Sequence, residues 1–96
     1  MTAFIITMVN VSNPDNYAQY SALATAANDL YGGKFIVRGG NPEVLEGVVP
    51  FSRMVINQFD SREQAKKFYH SVQYQAAREH RLGAADFNMV VVDGAA

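Results

Sequence analysis

Segment order along this 96-residue chain predicts an α+β fold: a ferredoxin-like β-α-β-β-α-β sandwich with an antiparallel sheet ordered 4-1-3-2 and both helices on one face. Three observations carry that expectation. Short runs rich in β-branched residues begin at Ala3, Lys34, Arg53 and Phe87. Helix-start signals, Asn13-Pro14 and Ser61-Arg62-Glu63-Gln64, fall after the first and third of those runs. The second and third runs follow one another with glycines and prolines between them and no helical periodicity.

The first strand is expected over residues 3–11, Ala-Phe-Ile-Ile-Thr-Met-Val-Asn-Val, apolar on both parities as in a central strand covered on both faces. Asn13 then serves as N-cap and Pro14 as the first helical residue, with Asp15 where the helix dipole favours an anion. Tyr17, Tyr20, Ala24, Ala27 and Tyr31 recur at helical spacing, with Leu23 and Leu30 widening the stripe, and Gly32 closes the helix. Lys34 to Arg38 forms the second strand. Gly39-Gly40 predicts a bulge or break, beyond which Val44-Leu45-Glu46 continues the strand. Gly47 to Ser52 is a loop, and Arg53 to Phe59 the third strand. Ser61 and Gln64 fit a capping box. The helix that follows shows Ala65, Phe68, Tyr69 and Val72 on one stripe, with a break at Ser71 and a second helical stretch from Tyr74 to Leu82. Gly83 ends it, and Phe87 to Asp93 is the last strand.

Composition narrows the possibilities. The chain is long enough for one domain, residues 1–96, with a single core. Its net charge of −1 and lack of a basic block argue against a nucleic-acid partner. No apolar run has the length of a membrane span, so no membrane is expected as partner. There are no cysteines and no recognisable signal peptide, which points to the cytoplasm. Two histidines ten residues apart lack ligand spacing, and the glycine pairs match neither a dinucleotide nor a phosphate loop, so neither metal nor cofactor is expected.

The hydrophobic fraction is 49%, high for so small a domain, and strands one, three and four are apolar on both parities. Helices on one face leave the other uncovered. A second copy of the chain is the simplest cover, giving a homodimer whose facing sheets make a dimeric α/β barrel.

Several stretches resemble one known family. Gly32-Gly33-Lys34-Phe35-Ile36-Val37-Arg38-Gly39-Gly40, Glu43-Val44-Leu45-Glu46-Gly47, Phe59-Asp60-Ser61-Arg62-Glu63-Gln64-Ala65, Phe68-Tyr69-His70-Ser71 and Tyr74-Gln75-Ala76-Ala77-Arg78 are similar, in order and spacing, to domain of unknown function 1330. The resemblance runs on through Arg81 and Gly83-Ala84-Ala85-Asp86, with Gln73 standing where the family's pattern usually has glutamate. It implies the dimeric α/β-barrel superfamily, whose members include cofactor-free monooxygenases, haem-degrading enzymes, lactone isomerases and pigment-decolourising peroxidases. It also implies a pocket between sheet and helices, and no particular activity.

Arg38 is the leading candidate: either a guanidinium clamp for a carboxylate or enolate, or half of a salt bridge to Glu46 or Asp86. His80 and Arg81 close the second helix. They read either as cations complementing the helix dipole or as an acid–base histidine beside an anion-binding arginine. Asp86 is a base or a partner for Arg38 or Arg81, and Glu46 has the same two readings. His70 reads as a surface residue, and the helix tyrosines as core that can turn a hydroxyl to a ligand. The expected site is one pocket shared by Arg38 and the His80-Arg81 helix end, binding a small organic anion. The enzymatic version is proton transfer or cofactor-free oxygen chemistry. The competing version is a non-catalytic binding or assembly module with salt-bridged arginines.

Overall fold

The computed structural model describes residues 1–95. Its elements run β1 (Ala3–Val11), α1 (Pro14–Leu30), β2 (Lys34–Gly39), β3 (Arg53–Phe59), α2 (Arg62–His70), α3 (Val72–Arg81) and β4 (Ala85–Asp93). The four strands form one antiparallel sheet ordered β2-β3-β1-β4, the expected 4-1-3-2 order read from the other edge. The fold is α+β and ferredoxin-like. Among the described residues no helix is long and apolar enough to cross a membrane.

Capping residues set the helix boundaries. Asn13 accepts a hydrogen bond from Asn16 N at 3.2 Å and Ser61 from Gln64 N at 3.1 Å. Gln64 does not complete a reciprocal box. Its side-chain amide donates instead to Tyr31 O at 2.8 Å, tying α2 to the end of α1. Ser71 both ends α2 and starts α3: its hydroxyl donates to Phe68 O and accepts from Tyr74 N. That restart rotates Val72 out of the expected stripe, leaving it 82% exposed. On α1 the buried stripe is Tyr20, Ala24, Ala27 and Asn28, and Leu23 and Leu30 lie outside it.

Asn28 is in the stripe because it joins helix to sheet. Its Oδ1 accepts from Asn57 Nδ2 at 2.8 Å, and its Nδ2 donates to Gly33 O at 3.1 Å. Gly33 makes that approach possible, since a Cβ there would lie 2.0 Å from Asn28 Oδ1. The core fills the space between sheet and helices. Ile5, Phe59, Phe68, Tyr20 and Tyr74 are its large buried members.

β2 departs from expectation in two ways. The register slips between Phe35 and Val37, a bulge at Ile36. The strand then stops at Gly39, where Gly39, Gly40 and Asn41 all take positive φ and turn the chain away from the sheet. Val44-Leu45-Glu46 therefore does not extend the strand but lies in the irregular connection to β3. Asn10 pins the end of this connection to β1, donating to Pro50 O and accepting from Ser52 N at 2.9 Å.

Among the described residues no helix packs on the second sheet face. Register places Ile6 between Ile56 and Val90, and Met8 beside Met54, on that face. Phe4 and Val92 pair there as well.

Candidate functional site

The bulge at Ile36 decides where Arg38 points. Phe35 sits opposite Asn57, whose side chain faces the helices. In an unbroken ladder Arg38 would take the opposite face, because strand side chains alternate. The extra residue returns Arg38 to the face of Phe35: its Cζ lies 4.4 Å from the Phe35 ring centroid, and its Nη2 donates to Thr25 Oγ1 of α1 at 2.8 Å. The Thr25 hydroxyl spends its own proton on Ser21 O, so it is oriented to accept from the arginine.

A narrow cleft of about 40 Å³ opens between sheet and α1 at this point, lined by Arg38, Arg53, Thr7, Asn57, Tyr17 and Tyr20 among others. Arg53 enters from the start of β3. Its Nε is buried with no hydrogen-bond partner, and its Nη1 lies where a Cβ on Gly39 would come within 3.0 Å. The turn that ends β2 thus also makes room for this guanidinium. Among the described residues the one ion pair is Arg62 with Asp93, 3.0 Å apart, so neither Arg38 nor Arg53 is neutralised by a carboxylate. Arg53 was not singled out from the sequence. The available signal was its shared parity with Val55, Asn57 and Phe59 on β3.

Tyr20 lines the cleft and is backed by the buried Tyr74, which does not line it. Their hydroxyls share a hydrogen bond of 2.9 Å. Burial, reinforced by Tyr74, pushes the Tyr20 phenol far above its ordinary value, and burial raises Tyr74 as well. Both are neutral phenols at physiological pH.

Arg38 and Arg81 do not share a cavity. Arg81 lies beyond this tyrosine pair, its Cζ 5.4 Å from the Tyr20 ring centroid and 3.7 Å from that of Phe87, in a separate groove beside β4. His80 is exposed and lines neither space. Asp86 pairs in register with Asn10 on the helix-free face, and Glu46 is exposed in the β2–β3 connection, so neither orients an arginine. Gln73 accepts a hydrogen bond from the Tyr31 hydroxyl at 3.1 Å, away from both cavities. Among the described residues no group of three or more His, Asp or Glu is placed to hold a metal ion.

Sheet order, one-sided helices and a polar cleft in the layer between them define a ferredoxin-like α+β protein. Within that class the chain belongs to the family described as Domain of unknown function (DUF1330), whose sequence profile matches residues 2–95. Solved structures agree on the fold. A protein of unknown function from Rhodopseudomonas palustris superposes with a TM-score of 0.79 at 17% identity, over 99% of this chain and 83% of its own. A dimeric ferredoxin-like protein of unknown function from Jannaschia sp. CCS1 gives 0.78 at 10% identity, over 98% and 100%. SnoaB, a cofactor-independent oxygenase from Streptomyces nogalater, gives 0.65 at 8% identity, over 99% and 94%. At these identities the likeness concerns the fold alone. No protein of curated function matches the chain.

Proposed function

We propose that this protein is a homodimer that binds the carboxylate or enolate head of a small organic anion in the cleft between sheet and α1. The observation that carries the reading is the pair of guanidiniums, Arg38 and Arg53, which line one cleft with no carboxylate to neutralise either. Arg53 is half-buried with its Nε buried and unpartnered, which is costly, and an anionic ligand group supplies the missing acceptor. About 40 Å³ holds a head group and not a whole molecule, so the body of the ligand lies at the mouth, beside Tyr17 and the exposed Arg38.

The lining contains no Asp, Glu or His, and the raised Tyr20 phenol holds its proton. This favours binding, or chemistry in which the substrate's own anion reacts while the arginines stabilise it, over proton transfer by a side chain. The second of these is the kind of reaction suggested by the likeness to SnoaB, named a cofactor-independent oxygenase.

Titration calorimetry with benzoate and with uncharged benzamide tests the proposal. The carboxylate should bind and the amide should not. Arg38→Ala should weaken benzoate by about 1.5–3 kcal/mol, the range for a hydrogen bond to a charged group, while moving the melting temperature little. Equal binding of acid and amide, or an Arg38→Ala variant that loses stability and not affinity, contradicts it.

A further inference from the structure

The groove at Arg81 is larger than the cleft at Arg38 and shares only Met89 with its lining. It measures about 380 Å³, within the range of small-molecule pockets, and lies between β4 and the helix pair α2–α3. Arg81 closes its inner end. This side chain is 8% exposed, its Nε has no hydrogen-bond partner, and no carboxylate lies within ion-pair distance among the described residues. Its guanidinium is a positively charged group with five N–H donors and no acceptor. The Phe87 ring beneath it and the carbonyl end of α3 offset part of the cost. They bring no counter-charge.

The other charged lining residues, Lys66 and Arg78, have the same sign. Lys66 and His70 are spaced i, i+4 on α2, and Arg78 and Arg81 are spaced i, i+3 on α3, so each pair shares a helix face, and all four line the groove. No Asp or Glu is among the lining residues, although the chain as a whole carries a net charge of −1. The floor is apolar: Phe87, Met89 and Val91 alternate along β4, with Ile5 of β1 beside Val91. At about 3.3 Å per residue the floor from Phe87 to Val91 runs roughly 13 Å. Tyr69 adds a second aromatic wall.

We propose that this groove is a second binding site, independent of the cleft at Arg38, for an amphipathic aromatic carboxylate. Its head pairs with Arg81 and Arg78, and its ring system lies along β4 between Phe87 and Tyr69. The buried guanidinium fixes the sign of the ligand. The apolar floor excludes inorganic oxyanions as the main occupant, because they would leave that floor wet. The aromatic walls favour a flat body over a flexible acyl chain.

The test uses the full chain and 2-naphthoate as probe, with 2-naphthamide and octanoate as comparisons. Methyl and amide shifts in NMR spectra report the location. Naphthoate should move signals of Ala65, Val91 and Ile5, which line the groove and not the cleft, and should bind at least tenfold more tightly than naphthamide and more tightly than octanoate. Arg81→Gln should weaken naphthoate about ten- to hundredfold. Since removing a buried arginine can also disturb the core, Arg78→Glu, at a partly exposed position, gives an independent reading and should weaken binding in the same direction. Arg38→Ala should leave naphthoate binding unchanged. Three results overturn the proposal: naphthamide binding as well as naphthoate, binding unaffected by Arg78→Glu, or loss of naphthoate on Arg38→Ala with shifts confined to Thr7, Thr25 and Asn57. The last would mean one site, at the cleft. Failure of benzoate at the cleft with retention of naphthoate here would remove the cleft proposal and leave this one standing.

Discussion

At the scale of residues, two polar pairs buried in the layer between sheet and helices hold the site in shape. Asn28 and Asn57 bond across the layer at 2.8 Å, and Tyr20 and Tyr74 at 2.9 Å. Each pair satisfies groups that would otherwise be costly to bury. The tyrosine pair has a consequence for pH. Both phenols have pKa values raised above the ordinary 10.0, chiefly by burial, so the folded state holds protons that the unfolded state releases. Their contribution to stability is fully present below about pH 10 and is lost as pH rises through and beyond that value toward the folded-state values. Melting temperature should therefore fall more steeply between pH 9 and 11 in the natural protein than in a Tyr20→Phe, Tyr74→Phe double variant, which has no buried phenol to ionise. Parallel alkaline limbs would show that the pair does not set this behaviour. Some of this scale was legible in the sequence. Tyr17 and Tyr20 stood on a helix stripe, and Arg38 stood beside a glycine pair. The burial of Arg81 was not legible, because an arginine at a helix end ordinarily points to solvent. Here Phe87, from the following strand, and Tyr20, from a helix sixty residues away in sequence, enclose it, and those contacts are tertiary.

At the scale of elements, the bulge in β2 matters most. Glycine placement pointed to an irregularity after Arg38, and the strand does end there, on three consecutive positive-φ residues. The register slip lies two residues earlier, at Ile36, in a run of apolar residues that carries no turn signal. Sequence pattern cannot locate a bulge of this kind, since either parity of Phe35-Ile36-Val37 is apolar. Yet it sets the face on which Arg38 appears. Deleting Ile36 removes the extra residue and leaves Phe35 opposite Asn57 and Arg38 opposite Val55, so Arg38 should stay on the helix face, whereas one alanine inserted between Val37 and Arg38 should move it to the helix-free face. The fold should persist, because β2 is an edge strand whose side chains are largely half-buried or exposed. Benzoate affinity should be kept in the deletion variant and should fall to the level of Arg38→Ala in the insertion variant. An insertion variant that folds and binds benzoate like the natural chain would break the link between strand register and site.

At the scale of the whole molecule, the sheet has one face covered by helices and one on which no helix of the described residues packs, the β2–β3 connection meeting it at Asn10. Alternating strand patterns made that asymmetry readable beforehand, because apolar residues on both parities demand two apolar environments. The uncovered face presents Ile6 between Ile56 and Val90, with Phe4, Met8, Met54 and Val92 around them. A contiguous patch of this kind is unusual on a monomer. A second copy packed sheet to sheet would bury it, in an interface on the order of 2,000 Å², and the Jannaschia relative of this fold is described as dimeric. Ile6 lies on the central strand, so a charge there meets apolar neighbours on both sides and would face its own copy near a two-fold axis. Ile6→Asp should therefore dissociate the dimer while leaving the helix-side core, built on Ile5 and its neighbours, intact. Light scattering should give twice the 10.6 kDa chain mass for the natural protein at micromolar concentration, and the single-chain mass for the variant. Circular dichroism should show the same helix content for both. A natural protein that scatters as a monomer would leave the patch to some other partner. A variant that remains dimeric would place the interface elsewhere on the molecule.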